Sequence, residues 1–430
     1  MKIGILGAGF VGLTLAVRLL DTKDVQVLLI ENNPERILQL RSGQSYVLEP
    51  GLQSILETGL TEKTLSVFDP EANDLFEALF LTIGTPKPSM ESDRNFYAVI
   101  EQYLENLEHE GILLLRSTVS IGTTIKVKEL CLKNSRSDIR VVFAPERTAE
   151  GVALEELRQL PQILGADSDV EYKAGYNLLS SLGFFIIGAL GSREAELAKL
   201  ACNTWRDVTF GFSNELARLS GQLGIDVFNV IETANSNYPR AQIPKPGPVG
   251  GPCLSKDSYI LTSSYKTDAS SSVIMKAREV NEQITDDVFK FVSRCIAANT
   301  STKVVLAGLA FKGKPETNDV RDSFAIVLAQ KLRSSFVDLQ LEYWDPSINI
   351  KDLGGLEIQK IDELDSIDQI VILANNSPYL TSDSAVQKYQ KLTKNSYIID
   401  LWSNLASQEN LSAKVAILGR PSWIEVTKNE

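Results

Sequence analysis

The chain has 430 residues, 43% of them hydrophobic and 7% aromatic, which is the composition of a soluble globular protein. This length exceeds one ordinary hydrophobic core, so two or three domains are expected. The 43 basic and 55 acidic residues give a net charge of −12, which argues against nucleic acid or an anionic membrane as the main partner. An anionic small ligand stays compatible with this charge, because local Arg, Lys and helix N-termini bind phosphate.

The cysteines and the histidine limit the chemistry that the chain can perform. Cys131, Cys202, Cys253 and Cys295 are dispersed without metal-like pairing, and His109 is the only histidine. A zinc site or a Ser-His-Asp triad is therefore not expected, and acid-base chemistry must use Glu, Asp, Lys or water. Free thiols, with neither a signal peptide nor a run long enough for a membrane helix, predict a reduced, cytoplasmic protein without metal.

Residues 1–192 are predicted to form a Rossmann-like domain. Short β-branched runs alternate there with amphipathic stretches, which is typical of a parallel sheet with crossover helices. The predicted strands read KIGILG, VQVLLIE, LFLTIG, ILLLRS, RVVFAP and PQILGA. The loops NNPER, GTPKP and APERT fall at strand ends, where open α/β sheets bind ligands.

Residues 193–298 are predicted to be a helical spacer that serves as an oligomer interface. A long helix is expected from residue 193 to the glycines at 221–224, and a second in SSVIMKAREVNEQITDDVFKFVSRCIAA. Residues 299–430 return to the α/β pattern, with KVVLAGLAF, LQLEYWDP, DQIVILAN and SYIIDLW as strands. The predicted fold class is α/β, with two Rossmann-like doubly wound domains joined by a long-helix spacer.

Gly7, Gly9 and Gly12 form a G-x-G-x-x-G motif between the first strand and the first helix. The glycines allow a tight turn, the approach of a pyrophosphate and close helix-strand packing. Glu31 ends the next strand, where a carboxylate binds a ribose diol and favours NAD over NADP. A glycine-rich turn without a ligand is the alternative.

The roles of three further groups of residues are left open by the sequence. Glu196, Lys199 and Asn203 share one helix face, either as a solvated polar face or as a buried site, in which a lone lysine is costly. The loop PERTAEG, with Glu146, Arg147 and Glu150, is a ligand loop or a charged surface loop. Ser117 and Thr118 orient a water or cap the next helix, and the residues alone favour the cap.

Cys253 lies in GGPCLSKD, where glycines and a proline let backbone approach a ligand and expose the thiol. Lys256 is placed to lower the pKa of a thiolate or to form a plain salt bridge, and Asp257 to act as a base or to orient water. A buried structural cysteine is the alternative, and it is the role expected for Cys131, Cys202 and Cys295.

Together these motifs resemble the nucleotide-sugar 6-dehydrogenases, the UDP-glucose/GDP-mannose dehydrogenase family. The resemblance covers nearly the whole chain, in GAGFVGLTLA, ENNPERI, EPGL, TIGTPKP, RSTVSIGTT, FAPERTAEG, ELAKLACNT, GGPCLSKD, GLAFKGKPETNDVRDS and YWDP. It implies a four-electron oxidation of the primary alcohol of a nucleotide-linked hexose, with two NAD consumed per sugar, for surface polysaccharide synthesis. A cysteine holds the aldehyde as a thiohemiacetal and then as a thioester.

The resemblance also implies roles for individual residues. Cys253 matches the nucleophile, and Lys199 and Asp257 match the groups that handle the proton, the oxyanion and the hydrolytic water. Further matches are Asn203, Thr118 and Glu150 in catalysis; Gly7, Gly9, Phe10, Val11, Gly12, Glu31, Arg36, Thr85, Thr118 and Lys256 at NAD; and Glu146, Arg147, Lys199, Asn203, Arg240, Gly250, Lys312 and Arg321 at the substrate.

Two departures bear on the substrate. PERTAEG differs from the PEFLREG of UDP-glucose dehydrogenases and looks more like relatives acting on 2-acetamido sugars such as UDP-N-acetylmannosamine. Arg240 matches an arginine donated across a homodimer, although its spacing to Cys253 is shorter than in the glucose enzymes. The alternatives are UDP-glucose or GDP-mannose as substrate, a two-electron hydroxyacid-type dehydrogenase, and a non-catalytic NAD-binding protein. The active site is expected between the first and third domains.

Overall fold

The computed structural model describes residues 1–423 except 70, 71, 73, 86, 88, 300–302, 350–355, 357, 407 and 409. The chain forms two compact units, one of Met1–Cys202 with Tyr259–Thr267 and one of Asn203–Ser258 with Asp268–Glu430. The three-domain division at 1–192, 193–298 and 299–430 stays a prediction. Within the described ranges, no helix is long and apolar enough to cross a membrane.

The first unit is built on one twisted sheet. Its described strands are β1 (Lys2–Leu6), β2 (Gln26–Ile30), β3 (Leu65–Val67), β4 (Phe76–Leu81), β5 (Leu107–Leu115), β6 (Arg140–Phe143), β7 (Gln162–Gly165) and β8 (Ile186–Leu190). They lie in the order β3-β2-β1-β4-β5-β6-β7-β8. The strand order reverses between β1 and β4, which places the ligand crevice of an open α/β sheet at their carboxyl ends.

Helices cover both faces of this sheet. They are α1 (Phe10–Leu19), α2 (Pro34–Arg41), α3 (Leu52–Thr61), α4 (Met90–Glu101), α5 (Thr123–Lys133), α6 (Ala153–Gln159) and α7 (Asp169–Ser181). Alternate residues of one strand enter different cores: Ile3 and Ile5 pack in one cluster and Leu6 in the other. Burial on both faces explains why the strands read as almost continuous apolar runs.

The second unit holds the two long helices and a smaller sheet. Helix α8 (Ser192–Leu223) begins in the first unit and ends in the second, followed by α9 (Val227–Asn235) and α10 (Gly251–Leu254). Helix α11 (Asp257–Thr262) begins in the second unit and ends in the first, and α12 (Val273–Asn299) lies in the second. The sheet contains β9 (Lys303–Ala307), β10 (Gln340–Trp344), β11 (Gln359–Lys360), β12 (Ile370–Leu373), β13 (Tyr397–Asp400) and β14 (Lys414–Ile417), with helices α13 (Phe324–Ser335) and α14 (Asp383–Gln390). The described strands are parallel in the order β11-β10-β9-β12-β13-β14.

The predicted α/β fold class is confirmed, with two Rossmann-like sheets and long helices between them in the chain. The sequence analysis missed the short edge strands β3, β8, β11 and β14. The first sheet is parallel except at one place, where β7 pairs antiparallel to β6. The connection between these strands carries only a loop and a short helix, and apolar runs do not encode strand direction.

Candidate active site

The predicted nucleophile lies in the second unit, at a point where backbone segments are very close. Cys253 sits in α10 and its side chain is exposed. A Cβ on Gly250 would lie 2.2 Å from the carbonyl oxygen of Asp322, and one on Gly251, at φ +84°, would lie 2.4 Å from the ring of Phe311. These glycines are therefore required by the approach of the segment around 311–322, a reason that the sequence analysis did not consider.

The carboxylate of Asp257 is the centre of a small polar cluster four residues after Cys253. Asp257 is only 1% exposed. Its Oδ2 accepts a 2.6 Å hydrogen bond from Asn203 Nδ2, and its Oδ1 accepts one of 2.9 Å from Lys256 Nζ. The predicted catalytic residues Asn203 and Asp257 are thus brought together, and Lys256 forms a salt bridge with Asp257.

A buried network fixes the cysteine loop to both long helices. Arg278 Nη1, on α12, donates to the backbone oxygen of Leu254 and to Asp207 Oδ1, each at 2.8 Å. Asp207, on α8, accepts from Ser258 Oγ at 2.8 Å through its other oxygen, while Asn281 Nδ2 donates to its Oδ1 and its backbone oxygen. The residues next to Cys253 and Asp257 are therefore both anchored to one buried carboxylate.

Lys199 and Glu196 lie on α8 in the first unit and are both buried. Glu196 accepts from the backbone nitrogens of Gly122 and Thr124 and from Thr124 Oγ1, so it caps the N-terminus of α5. Burial raises the pKa of Glu196 despite these donors. Lys199 has no hydrogen bond or ion pair to another described residue, and a buried unpaired cation is costly. The burial excludes a solvated polar face.

The structure corrects the expectation that Ser117 or Thr118 caps the helix after β5. The N-cap position of α5 is Gly122, without a side-chain cap of its own, and Glu196 supplies the acceptor. Ser117 Oγ donates to the backbone oxygen of Ile83 at 2.7 Å. Thr85 Oγ1 donates to the backbone oxygen of Thr118 at 2.5 Å, which joins two predicted cofactor residues. Ser117 and Thr118 prefer capping positions, but they bond to the segment after β4, and Glu196 on α8 caps the helix instead.

The PERTAEG loop is held from inside the protein. Glu146 is buried, pairs with Arg116, and accepts from the backbone nitrogens of Arg147 and Thr148 at 2.7 and 2.9 Å. Burial by itself raises the pKa of Glu146, but the charge of Arg116 and these donors hold it below its ordinary value. The Arg147 guanidinium donates to the backbone oxygen of Pro161. Both predicted substrate residues therefore make intramolecular contacts.

Glu150, in the same loop, is buried beside a turn that a distant residue fixes. Glu49, from the EPGL motif, accepts from the backbone nitrogens of Gly151 at 2.7 Å and Leu154 at 3.2 Å. Its carboxylate thereby accepts from one free N–H group in the first turn of α6 and from one in the turn before it. We therefore regard Glu49 as a residue that positions Glu150. The EPGL motif was the only feature of the sequence that pointed to Glu49.

The glycine motif has the form that a dinucleotide requires. Gly7 adopts φ +101°, and a Cβ on Gly12 would lie 1.9 Å from the oxygen of Gly7. A Cβ on Gly9, the N-cap residue of α1, would meet nothing within 4 Å. Open space beside a helix N-terminus at the sheet's switch point fits a pyrophosphate. Phe10 and Val11 begin α1 and are half-buried.

Glu31 lies at the carboxyl end of β2 with its side chain ordered by neighbours. Its Oε1 accepts from the backbone nitrogens of Asn32 and Asn33 at 2.9 and 3.0 Å, and Arg36 lies 3.8 Å from Oε2. The Arg36 guanidinium also stacks 5.0 Å above the ring of Tyr46. Burial, and then the charge of Glu31, raises the pKa of Tyr46. This cluster fits the ribose end of NAD, and Tyr46 was missed from the sequence.

The remaining predicted substrate residues lie in the second unit. Arg321 is exposed, and its guanidinium donates to both carboxylate oxygens of Asp319. Lys312 is half-buried beside the ring of Phe311. Arg240 is exposed in the turn after α9 and bonds to Tyr238 Oη at 3.1 Å. No group of His, Cys, Asp or Glu with metal-binding geometry occurs in the part of the chain that the structure describes.

Three family models match the chain in succession. They are the NAD binding domain of the UDP-glucose/GDP-mannose dehydrogenase family over residues 1–182, its central domain over 193–283 and its UDP binding domain over 305–407. The chain belongs to the UDP-glucose/GDP-mannose dehydrogenase family. It is therefore an oxidoreductase that uses NAD, as the sequence analysis expected.

Individual members of this family resemble the chain over almost its whole length. A UDP-N-acetyl-D-mannosamine dehydrogenase of Pyrococcus horikoshii is 30% identical over 363 residues, which cover 81% of this chain and 84% of that protein. The protein of the same name from Methanococcus aeolicus is 27% identical over 448 residues, which cover 99% of this chain and 97% of that protein. The solved structure of the UDP-D-ManNAc dehydrogenase from Pyrococcus horikoshii has a TM-score of 0.84 at 26% identity. The match covers 98% of this chain and 100% of that one.

Proposed function

We propose that this member of the family oxidises UDP-N-acetylmannosamine to the corresponding UDP-uronate in two NAD-dependent steps. The observation that carries the proposal is the exposed thiol of Cys253 next to the buried Asp257–Asn203 pair. A two-electron oxidation of an alcohol needs no nucleophile, whereas conversion of an aldehyde to an acid uses one. The sugar is assigned from the names of the relatives and from the PERTAEG loop.

The first step removes a proton from the primary alcohol and a hydride from its carbon. NAD, when bound, would supply the hydride acceptor for both oxidations. We assign to the buried Lys199 the stabilisation of the alkoxide that forms as the proton leaves. A buried cation that has no partner among the described residues interacts strongly with new negative charge. Asn203, one helical turn later, supplies a hydrogen-bond donor to the same oxygen.

The second step captures the aldehyde. The Cys253 thiolate adds to the carbonyl carbon, and the oxygen takes a proton, which gives a thiohemiacetal. Loss of a second hydride and of the hydroxyl proton gives a thioester, and water then releases the carboxylate and regenerates the thiol. We assign to Asp257 the acceptance of the proton of this water, and its hydrogen bonds from Asn203 and Lys256 support this assignment. Thr118 and Glu150 are assigned to water and substrate positioning.

The NAD half of the site uses the residues of the first unit. The G-x-G-x-x-G backbone and the N-terminus of α1 hold the pyrophosphate, and Glu31 with Arg36 holds the adenosine ribose. Thr85 and Thr118 hold the nicotinamide end. In the second unit, Lys312 and Arg321 supply positive charge for the substrate diphosphate, and Arg240 reaches a substrate bound to the partner subunit.

The active form is proposed to be a cytoplasmic homodimer assembled through α8. Trp205, Phe212, Leu219 and Leu223 are exposed on this helix, at spacings of seven, seven and four residues. Such spacings place the side chains on one face. A row of exposed large apolar side chains on one helix face supports its assignment as a protein interface.

A substrate panel tests the proposal. The protein is incubated with NAD and, separately, UDP-N-acetylmannosamine, UDP-N-acetylglucosamine, UDP-glucose and GDP-mannose, and the NADH formed per sugar is counted. Two NADH per UDP-N-acetylmannosamine are expected, and Cys253→Ser is expected to make no more than one. Cys202→Ser, a second exposed cysteine, is the matched control and keeps both. One NADH per sugar in the unmodified enzyme would indicate the hydroxyacid-type reaction, and none with any sugar a non-catalytic NAD-binding protein.

A further inference from the structure

Asp322 contacts both ends of the short helix that carries Cys253. Its backbone oxygen accepts a hydrogen bond of 3.1 Å from the backbone nitrogen of Gly251, the first residue of α10. Its Oδ2 accepts one of 2.7 Å from the hydroxyl of Ser255, the C-cap residue of the same helix. A single residue therefore spans α10 from its start to its end.

Asp322 makes both of these hydrogen bonds in an uncommon backbone conformation. Its φ is +50°, in the left-handed region that non-glycine residues rarely adopt. This local strain is compensated by the contacts that the residue makes. Gly250 and Gly251 make the contacts possible, because a Cβ on Gly250 would lie 2.2 Å from the Asp322 oxygen.

The segment that ends at Asp322 is held by hydrogen bonds up to Arg321. The backbone nitrogen and Nε of Arg321 donate to Asp319 Oδ1 at 2.9 and 3.0 Å. The backbone oxygen of Asp319 in turn accepts from the backbone nitrogen of Phe311 at 3.0 Å. Arg321 is therefore connected to Asp322 by one peptide bond at the end of a hydrogen-bonded turn.

We propose that the Ser255–Asp322 hydrogen bond couples occupation of the nucleotide site at Lys312 and Arg321 to the position of the Cys253 thiol. Ser255 and Asp322 are positioning residues, since they act through α10 and through Arg321. The inference rests on the proposed function for the assignment of the nucleotide to Lys312 and Arg321. It gives a role to Ser255, the second residue after Cys253.

Four variants test the coupling in the full-length protein. Ser255→Ala removes the hydroxyl and Ser255→Thr keeps it. Asp322→Gly removes the carboxylate and retains the left-handed backbone, whereas Asp322→Ala removes the carboxylate and also disfavours that backbone. Both side chains are at least partly exposed, so the Ser255 variants and Asp322→Gly are expected to fold normally.

The first measurement is the rate at which iodoacetamide alkylates Cys253, followed by mass spectrometry of its peptide with and without UDP. UDP has no sugar to cover the thiol, so an effect must be transmitted through the protein. UDP is expected to slow alkylation roughly threefold or more in the unmodified protein and in Ser255→Thr, in the range of a modest coupling free energy. Ser255→Ala and Asp322→Gly are expected to abolish the UDP effect.

The second measurement separates substrate binding from cofactor binding. Ser255→Ala is expected to raise the KM for the nucleotide-sugar about fivefold, the effect of losing one hydrogen bond to a carboxylate at a partly exposed site. The KM for NAD, which binds the first unit, is expected to stay the same. Equal alkylation rates with and without UDP in the unmodified protein, or a UDP effect that persists in Ser255→Ala, would overturn the coupling.

The two proposals fail in different ways. If the unmodified protein forms two NADH per sugar while Ser255→Ala matches it in every respect, the reaction stands and the coupling is wrong. If UDP slows alkylation through Ser255 but no nucleotide-sugar is oxidised, the coupling stands and the proposed reaction is wrong. If Ser255→Thr behaves as Ser255→Ala, the hydroxyl is not the determinant and the coupling is again wrong.

Discussion

The side-chain amide of Asn203 donates a 2.6 Å hydrogen bond to Oδ2 of the buried carboxylate of Asp257. It connects α8 to the residue four positions after Cys253, so the helix sets the orientation of the proposed base. Asn203→Ala leaves the carboxylate with one donor fewer, which costs about 1–3 kcal/mol in a buried site.

We expect Asn203→Ala to lower kcat for NADH formation by about tenfold or more, the factor that about 1.4 kcal/mol represents. Asn203→Asp should be worse, because it places a second negative charge beside Asp257. Steady-state kinetics and thermal unfolding measure both effects. Asn235→Ala, which removes an amide hydrogen-bonded to the backbone of Ile243, is the control and should retain kcat. Full activity of Asn203→Asp would contradict the assigned roles.

The pair of Asp207 and Arg278 provides a second prediction, about the anchoring of the cysteine loop. Both are buried, and Arg278 Nη1 bonds to Asp207 and to the backbone oxygen of Leu254. Arg278→Met leaves Asp207 as an uncompensated buried charge and should destabilise the protein by about 3–5 kcal/mol. Denaturant unfolding measures this loss.

The double variant Asp207→Asn/Arg278→Met separates charge from positioning. Removal of both charges should restore much of the stability, while the bond to Leu254 stays absent and turnover stays low. Lys276→Met, in an exposed i,i+3 pair on the same helix, should change stability by less than about 1 kcal/mol. If the double variant recovers full turnover along with stability, Arg278 does not position the loop.

The lowered pKa of Glu146 predicts that the free energy of unfolding depends on pH. Arg116 and two backbone N–H groups outweigh burial and hold its pKa below the ordinary value. A lowered folded-state pKa means that ionised Glu146 contributes stability above its unfolded pKa of about 4.3, which is lost as the pH falls through the folded pKa. Glu146→Gln should be less stable near pH 7 and should lose less stability on acidification.

Urea unfolding at several pH values between about 7 and 3 follows the contribution of Glu146 across its titration range. The two curves of unfolding free energy should converge at the acid end. Glu155→Gln, at an exposed position on α6, should run parallel to the unmodified protein. Parallel curves for Glu146→Gln as well would exclude the Arg116 pair as a source of acid sensitivity.

The same residues mark how far the sequence could be interpreted. The inner strands of both sheets and the two long helices follow from apolar periodicity, whereas the edge strands β3, β8, β11 and β14 do not. The glycine motif follows from its position in the chain. Asn214, whose Nδ2 donates to Asn281 Oδ1 at 2.8 Å, lies seven residues after Asp207, and Arg278 and Asn281 are three residues apart. Such spacing occurs both in a buried polar network and on a solvated helix face. Only the burial of the side chains distinguishes the network from the solvated face. Ser255 and Asp322 are separated by 67 residues, and no local pattern predicts their contact.

The apolar stripe on α8 gives the last prediction, which concerns assembly. Trp205 is 68% exposed, Phe212 54%, Leu219 49% and Leu223 64% in the single chain. Because seven residues make almost two helical turns, Trp205, Phe212 and Leu219 form one ridge. A Phe212→Glu/Leu219→Glu variant should elute as a monomer in size-exclusion chromatography with light scattering, while the unmodified protein elutes as a dimer. Val337→Glu, at a position 87% exposed outside this helix, should stay dimeric. A monomeric unmodified protein would refute both the stripe as an interface and the donation of Arg240 to a partner's substrate.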